Sequence, residues 1–205
     1  MFSNSPFTLF LLLINVLVSG YALYFDRHLI DKLAFKPHRV LKHGELYRLV
    51  SGGFVHGSMG HLAFNMITLF FFGPALEVRL GSGLFLVIFF GAELSAHLLT
   101  TWMHRDSVSY SAVGASGAIS GVLFSFSLFY PLEKIYLFLI PIGIPAWIFA
   151  TGFVVFSAVA MRRKGDTRGG GIAHEAHLGG ALGGLILTLI VEPSSLELFL
   201  NQLGF

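Results

Sequence analysis

The 205-residue chain contains no cysteine, which removes disulfides and thiolate metal sites and leaves its redox compartment undefined. Charge is scarce too: 12% of residues are charged, against 55% hydrophobic, and the mean hydropathy is +0.77. A soluble domain carries about 25% charged residues, so the composition is that of an integral membrane protein. The net charge is only +2, and the basic residues fall in loops beside apolar runs with no folded basic domain, which excludes a nucleic-acid partner. Residues 1–6 carry no Lys or Arg, and the apolar run after them lacks a small-x-small cleavage pattern. It is therefore expected to remain as a permanent span.

What the chain has in abundance is apolar runs. A helix needs about 20 mostly apolar residues to cross a bilayer, and six segments approach this: 7–25, 61–80, 84–103, 115–130, 135–161 and 172–191. The fourth is short. The fifth carries Pro141, Gly143 and Pro145, which predicts an irregular or interfacial lead-in and a helix starting near Pro145. Between the first two spans, residues 26–60 interleave Phe35, Val40, Leu41, Leu46, Tyr47, Leu49, Val50, Phe54 and Val55 with charge. That mixture predicts a segment lying in the interface or against the bundle. Pro74 precedes a helix end and turn, residues 75–83, whose Glu77 and Arg79 are expected to reach the water layer as a structural pair. The loop at 161–171 combines Arg162, Arg163, Lys164 and Arg168 with three glycines and reads as a flexible connection.

The polar residues within these spans are the functional candidates, because ionisable groups are costly in lipid. Val113-Gly114-Ala115-Ser116-Gly117 places one hydroxyl among glycines at the start of an apolar run. A helix N-terminus there would aim backbone N–H groups and a positive dipole end at whatever the serine attacks. Taken alone, this reads as a small-residue packing motif before it reads as a nucleophile. The sixth span opens with His174-Glu175-Ala176-His177, followed by Gly179/Gly183 and Gly180/Gly184 at four-residue spacing, and the fourth offers Gly117/Gly121. Two glycine faces pack closely, which would bring Ser116 and His177 together as a base-activated nucleophile. His61 and Asn65 lie one turn apart on one face of the second span and could donate to an oxyanion. His61, Ser116 and His177 start the second, fourth and sixth spans, which run in the same direction, so all three are expected near one membrane face.

Taken together, these motifs resemble the rhomboid family of intramembrane serine proteases. Gly114-Ala115-Ser116-Gly117 is similar to the family's nucleophile motif. His56, His61 and Asn65 match its His-x4-His-x3-Asn spacing, and Ala176-His177-Leu178-Gly179-Gly180 its last-helix histidine motif. Residues 75–81 resemble the stretch closing its second helix, and Tyr47-Arg48 its aromatic-Arg pair. The resemblance implies an all-α, six-transmembrane-helix bundle forming a single domain over 1–205, with a catalytic core at about 45–191. It implies Ser116 as nucleophile, His177 as general base and then acid, His61, Asn65 and the Ser116 N–H as oxyanion donors, and His56 as a site-shaping residue. No cofactor or metal is implied. The partners would be transmembrane protein substrates and the lipid bilayer, and the setting a bacterial-type plasma (inner) membrane. No buried acid is required, which fits a chain whose four aspartates, Asp26, Asp31, Asp106 and Asp166, all fall in loops.

The chain also departs from the family pattern. Where many members have an aromatic residue one turn after the serine, it has Ser120, so another group must orient His177. His174 and Glu175 replace small or amide residues and are expected to face the interface, while Glu93 and His97 are spaced i, i+4 to satisfy each other. Of the alternatives, a non-catalytic scaffold or chaperone for transmembrane helices would not need both Ser116 and His177. A zinc site of the His-Glu-x-x-His kind would need histidine where Leu178 stands. A soluble-type α/β-hydrolase elbow fails at Ala118.

Orientation is contested by charge. The family arrangement puts the N-terminus in the cytoplasm and the site outside, yet Arg27, Lys32, Lys36, Arg39, Lys42, Arg48, Arg105, Arg162, Arg163, Lys164 and Arg168 all fall on the site's side. Only Arg79 and Lys134 fall on the other, the reverse of the positive-inside rule. Chain order and packing favour the family arrangement. Reporter fusions are expected to place the N-terminus in the cytoplasm and the 162–171 loop outside, and the opposite pair of signals would show that charge wins.

Overall fold

The computed structural model describes residues 2–136, 142–163 and 173–205. Pro141, Lys164, Arg168 and the glycines at 169–171 lie outside the described residues. The chain is a polytopic helical bundle. It begins with α1 (Pro6–Tyr24), opened by a proline whose missing N–H would have been unpaired in any case. The connection that follows holds three short helices, α2 (His28–Leu33), α3 (Pro37–His43) and α4 (Arg48–Ser51). Buried Arg48 knits them together, donating to the Asp31 and Ala34 carbonyls and to Glu45. That hydrogen bond holds the Glu45 carboxyl below its ordinary pKa. Fully buried Phe35 stacks on His97, ring centroids 3.8 Å apart, so the connection packs against the bundle as its apolar content predicts.

The remaining elements are α5 (Met59–Leu80), α6 (Ser82–His104), α7 (Ser116–Phe129), a hairpin of β1 (Lys134–Tyr136) and β2 (Gly143–Pro145), then α8 (Ala146–Arg163), α9 (His174–Val191) and α10 (Ser194–Leu203). Among the described residues, α1, α5, α6 and α9 are long and apolar enough to cross a membrane. α7 and the 146–161 stretch of α8 are shorter apolar helices. The predicted irregular lead-in to the fifth segment is the antiparallel hairpin, and the helix starts one residue after Pro145. Helix α10 was not anticipated. Its Gln202 amide donates to the Phe129 carbonyl, which carries the last turn of α7.

One expectation is overturned. Glu77 does not reach water: it is 1% exposed and accepts from the Phe7 N–H at 3.0 Å, the Thr8 N–H at 2.7 Å, and the Thr8 and Ser82 hydroxyls, each at 2.7 Å. The first-turn amides of α1 have no partner of their own, and a carboxylate on α5 serves as their cap. Arg79, by contrast, stays exposed with its guanidinium 5.2 Å from the Phe129 ring centre.

The centre of the bundle is built on glycine. The two rows of α9 divide their work: Gly180 and Gly184 face α7, while Gly179 and Gly183 face α6. A Cβ on Gly180 would fall 2.7 Å from the Gly117 carbonyl carbon, and one on Gly184 2.7 Å from that of Gly121. A Cβ on Gly179 would fall 2.9 Å from the Ser95 carbonyl oxygen of α6. α7 also fits closely on α6, since a Cβ on Gly117 would lie 2.7 Å from that of Ala96. Ala96 stands eight residues before the end of α6 at His104, so at 1.5 Å per residue the first turn of α7 lies about 12 Å below that end. Ser116 thus stands well short of the end of α6, a helix long and apolar enough to cross a membrane.

Gly180→Val forces α7 and α9 apart and is expected to lower the unfolding midpoint in detergent by about 6–12 °C, the effect of about 3 kcal/mol in a domain of this size. Gly152→Ala, at a site with nothing within 4 Å, should leave it unchanged or raise it slightly. Glu77→Leu leaves the α1 amides without a partner and should cost about 2 kcal/mol in the same assay. An unchanged midpoint for Glu77→Leu would mean that this cap contributes nothing.

Candidate active site

Ser116 is the first helical residue of α7, reached through Gly114 at φ +105° and the half-turned Ala115. Gly114 is required twice over. Its φ is strained for any side chain, and a Cβ would lie 2.7 Å from the His61 ring Nε2. His177 is in the first turn of α9, and its Nε2 lies 2.8 Å from the Ser116 hydroxyl oxygen although the two residues are 61 apart in sequence. The half-buried pair joins the two helices held together by glycine. Phe153 of α8 faces His177, with centroids 6.1 Å apart and planes tilted by 35°. The Ser120 hydroxyl donates back to the Ser116 carbonyl at 2.8 Å.

His56 is the hub of the neighbouring polar cluster and is fully buried. Its tautomer follows from its partners. The Ser19 hydroxyl donates to the Phe54 carbonyl at 3.0 Å, so its oxygen accepts from His56 Nδ1 at 2.8 Å. Nε2 is then the lone-pair nitrogen, taking the Asn65 amide at 2.9 Å and the Ala115 N–H at 3.4 Å. One imidazole thereby ties α1, α5 and the residue before Ser116 together. Asn65 is buried with one amide hydrogen given to His56, and half-buried His61 sets its ring edge-on to His56, centroids 4.9 Å apart. All five candidates, Ser116, His177, His61, Asn65 and His56, therefore gather at one end of α5, α7 and α9.

Glu175 corrects a second expectation. It does not face the interface but is 1% exposed, accepting from the Tyr110 hydroxyl at 2.8 Å and from His104 Nε2 at 3.1 Å. The rings of His104 and Tyr110 stack with centroids 3.9 Å apart. Burial, together with the Glu175 charge, pushes the Tyr110 phenol above its ordinary pKa, so it stays protonated and donates. This cluster clamps the loop leading to Ser116 onto the first turn of α9, two residues from His177. His174 meets Phe156 edge-on at 5.4 Å.

Glu93 and His97 do approach each other, His97 Nε2 standing 3.4 Å from Glu93 Oε1, and both are buried in α6. Glu93 Oε2 also accepts the Ala118 N–H at 2.9 Å. A cavity of about 20 Å³ is lined by Glu93 and His97 together with Ser116. Ser19, Tyr110, His104 and Phe153 carried no local signal, since a serine or a phenylalanine in an apolar run reads as packing until its partner is known. Among the described residues no group of three or more His, Cys, Asp or Glu is gathered closely enough to hold a metal.

A family model, the Rhomboid domain, matches residues 43–194. Rhomboid protein 1, mitochondrial, of Saccharomyces cerevisiae is 31% identical over 141 residues, which cover 67% of this chain and 40% of the yeast protein. RHOMBOID-like protein 12, mitochondrial, of Arabidopsis thaliana is 28% identical over 156 residues, 68% of this chain and 45% of the relative. Rhomboid protease GluP of Bacillus subtilis is 30% identical over 154 residues, 73% of this chain and 27% of the relative. The chain spans less than half the length of these relatives. The four apolar helices and the family match support an integral membrane protein, and since the relatives are mitochondrial as well as bacterial they do not single out the expected bacterial-type plasma membrane. With three quarters of its length matched by one family model and the motifs in that family's order, the chain belongs to the rhomboid family of intramembrane proteases.

Proposed function

We propose that the protein is a serine endopeptidase that cleaves transmembrane segments of other membrane proteins, with Ser116 as nucleophile and His177 as general base. The single observation that carries this reading is the 2.8 Å approach of His177 Nε2 to the Ser116 hydroxyl at the start of α7. In the first step Ser116 Oγ forms a bond to the scissile carbonyl carbon, and its proton passes to His177 Nε2. The carbonyl electrons move to oxygen, and the Ser116 N–H with His61 and Asn65 are the proposed donors to that oxyanion. Collapse breaks the C–N bond, His177 returns the proton to the leaving amine, and an acyl-serine remains. Water, deprotonated by His177, then releases the acid and restores the serine.

Depth limits the substrate. A peptide carbonyl inside a helix already accepts a hydrogen bond and is shielded by neighbouring turns, so the reacting segment must unwind before Ser116 can reach it. Substrates with Gly, Pro or other helix-weakening residues near the membrane surface are expected. A small cavity beside the serine also gives water a place below that surface.

Ser116→Ala and His177→Ala, each purified and reconstituted, are expected to lose cleavage of a labelled single-span substrate by a factor of about 10³ or more while inserting normally. A fluorophosphonate should label wild type at Ser116 and neither variant. Undiminished cleavage by either variant would end the proposal. Substrate binding with neither cleavage nor labelling by wild type would make the chain a scaffold for transmembrane helices.

A further inference from the structure

The mechanism above leaves one buried acid without a task. Glu93 stands in the middle of α6, 4% exposed, in a helix apolar enough to cross the bilayer, where an ionisable side chain is costly to keep. What it touches is the helix that carries Ser116. The residue preceding α7 is Ala115, which has no side-chain oxygen to cap the helix, and no side chain of its own segment does so. The Ala118 N–H, one of the first-turn donors with no partner inside the helix, is taken at 2.9 Å by Glu93 Oε2 across the interface. Two glycines make room for that carboxylate: a Cβ on Gly117 would come within 3.1 Å of Oε2, and one on Gly53 within 2.8 Å of Oε1.

The carboxylate is itself held in place. His97 Nδ1 lies 3.0 Å from the Leu49 carbonyl, which can only accept, so Nδ1 carries the hydrogen and Nε2 of a neutral ring has a lone pair. Nε2 faces Glu93 Oε1 at 3.4 Å, an attractive contact when the two groups share one further proton. That proton can be written as carboxylic acid beside imidazole or as carboxylate beside imidazolium. In either form Oε2 still accepts from Ala118. Phe35 stacked on His97 closes the other side of the pair.

We propose that Glu93 is a positioning residue for Ser116. It anchors the first turn of α7 from α6, and so fixes where the hydroxyl and the backbone N–H of Ser116 stand relative to His177. This rests on the reading of Ser116 as the nucleophile. Glu93 touches neither substrate nor reacting atoms; it acts through the backbone between Ser116 and Ala118.

Three variants test it. Glu93→Gln keeps an oxygen for the Ala118 N–H and offers an amide hydrogen to His97 Nε2, so its kcat should stay within about threefold of wild type. Glu93→Leu removes the anchor and should lower kcat about 10- to 100-fold with KM changed less than about twofold, and fluorophosphonate labelling of Ser116 should slow in step. Should Glu93→Leu fail to insert, Glu93→Asp keeps the acid but withdraws it by one methylene, and the same loss in kcat is expected. Wild-type kcat and labelling in Glu93→Leu or Glu93→Asp would overturn the positioning role while leaving Ser116 as nucleophile. Loss of activity in Glu93→Gln equal to that in Glu93→Leu would overturn it too, by showing that the acid itself is needed. A wild type that neither cleaves nor labels would remove both readings together.

Discussion

Everything at the site depends on two helix backbones touching without side chains between them. Gly117 and Gly121 of α7 meet Gly180 and Gly184 of α9 so closely that a single added carbon has nowhere to go. In lipid there is no hydrophobic gain in bringing two apolar helices together, so close packing and interhelical hydrogen bonds supply the attraction. This contact supplies both. Between the helices, the single Ser125 hydroxyl hydrogen has the Gly121 carbonyl at 2.8 Å and the Gly184 carbonyl at 3.2 Å within reach, and Thr188 donates to Ser125. The Ser116–His177 hydrogen bond sits at one end of the seam as a consequence of its geometry, because each of those residues lies within three positions of a glycine that touches the other helix.

A second constraint follows from the solvent. A buried polar group in a membrane protein cannot fall back on water, so each must find a partner within the bundle or cost several kcal/mol. Here the buried acids solve two problems at once. Glu77 and Glu93 reach from one helix to the unpaired amides of another, capping α1 and α7 where neither helix provides a cap of its own. Glu175 pins the loop ahead of Ser116 to α9. His56 does comparable work with an uncharged ring. The polar residues expensive to hold in lipid are therefore the ones that fix the mutual placement of the helices, and the apolar residues around them fill the space left over.

These two constraints explain what was legible in the sequence. The apolar segments, the break before Ala146 and the gathering of Ser116, His177 and His61 at one end could be read because span length, proline position and chain direction are local properties that topology converts into proximity. The glycine spacing was legible as a packing face, but its division between α6 and α7 was not, since a four-residue period does not say which neighbour a row meets. Glu77 and Glu175 were misread for one reason: near a helix end, an acid reaching outward to water and an acid reaching inward to a neighbouring helix have the same sequence. Only the partner distinguishes them, and Thr8 and Tyr110 lie 69 and 65 residues away. The amphipathic α10 follows the last span and has no catalytic motif to draw attention to it.

The excess of basic residues on the side of the site has a structural source as well. Lys36 pairs with Asp31, Arg39 with Glu45, and Arg48 with Glu45, while Arg48 also satisfies two backbone carbonyls of the connection between α1 and α5. That connection folds against α6 through Phe35 stacked on His97, and charge-assisted hydrogen bonds to carbonyls are a compact way of holding its irregular backbone in place. Arg48, 4% exposed and bonded to two carbonyls and to Glu45, is therefore tied into the fold whichever side of the membrane it occupies. A rule that reads basic residues as signals of orientation assumes that they have no other work, and that assumption fails for Arg48.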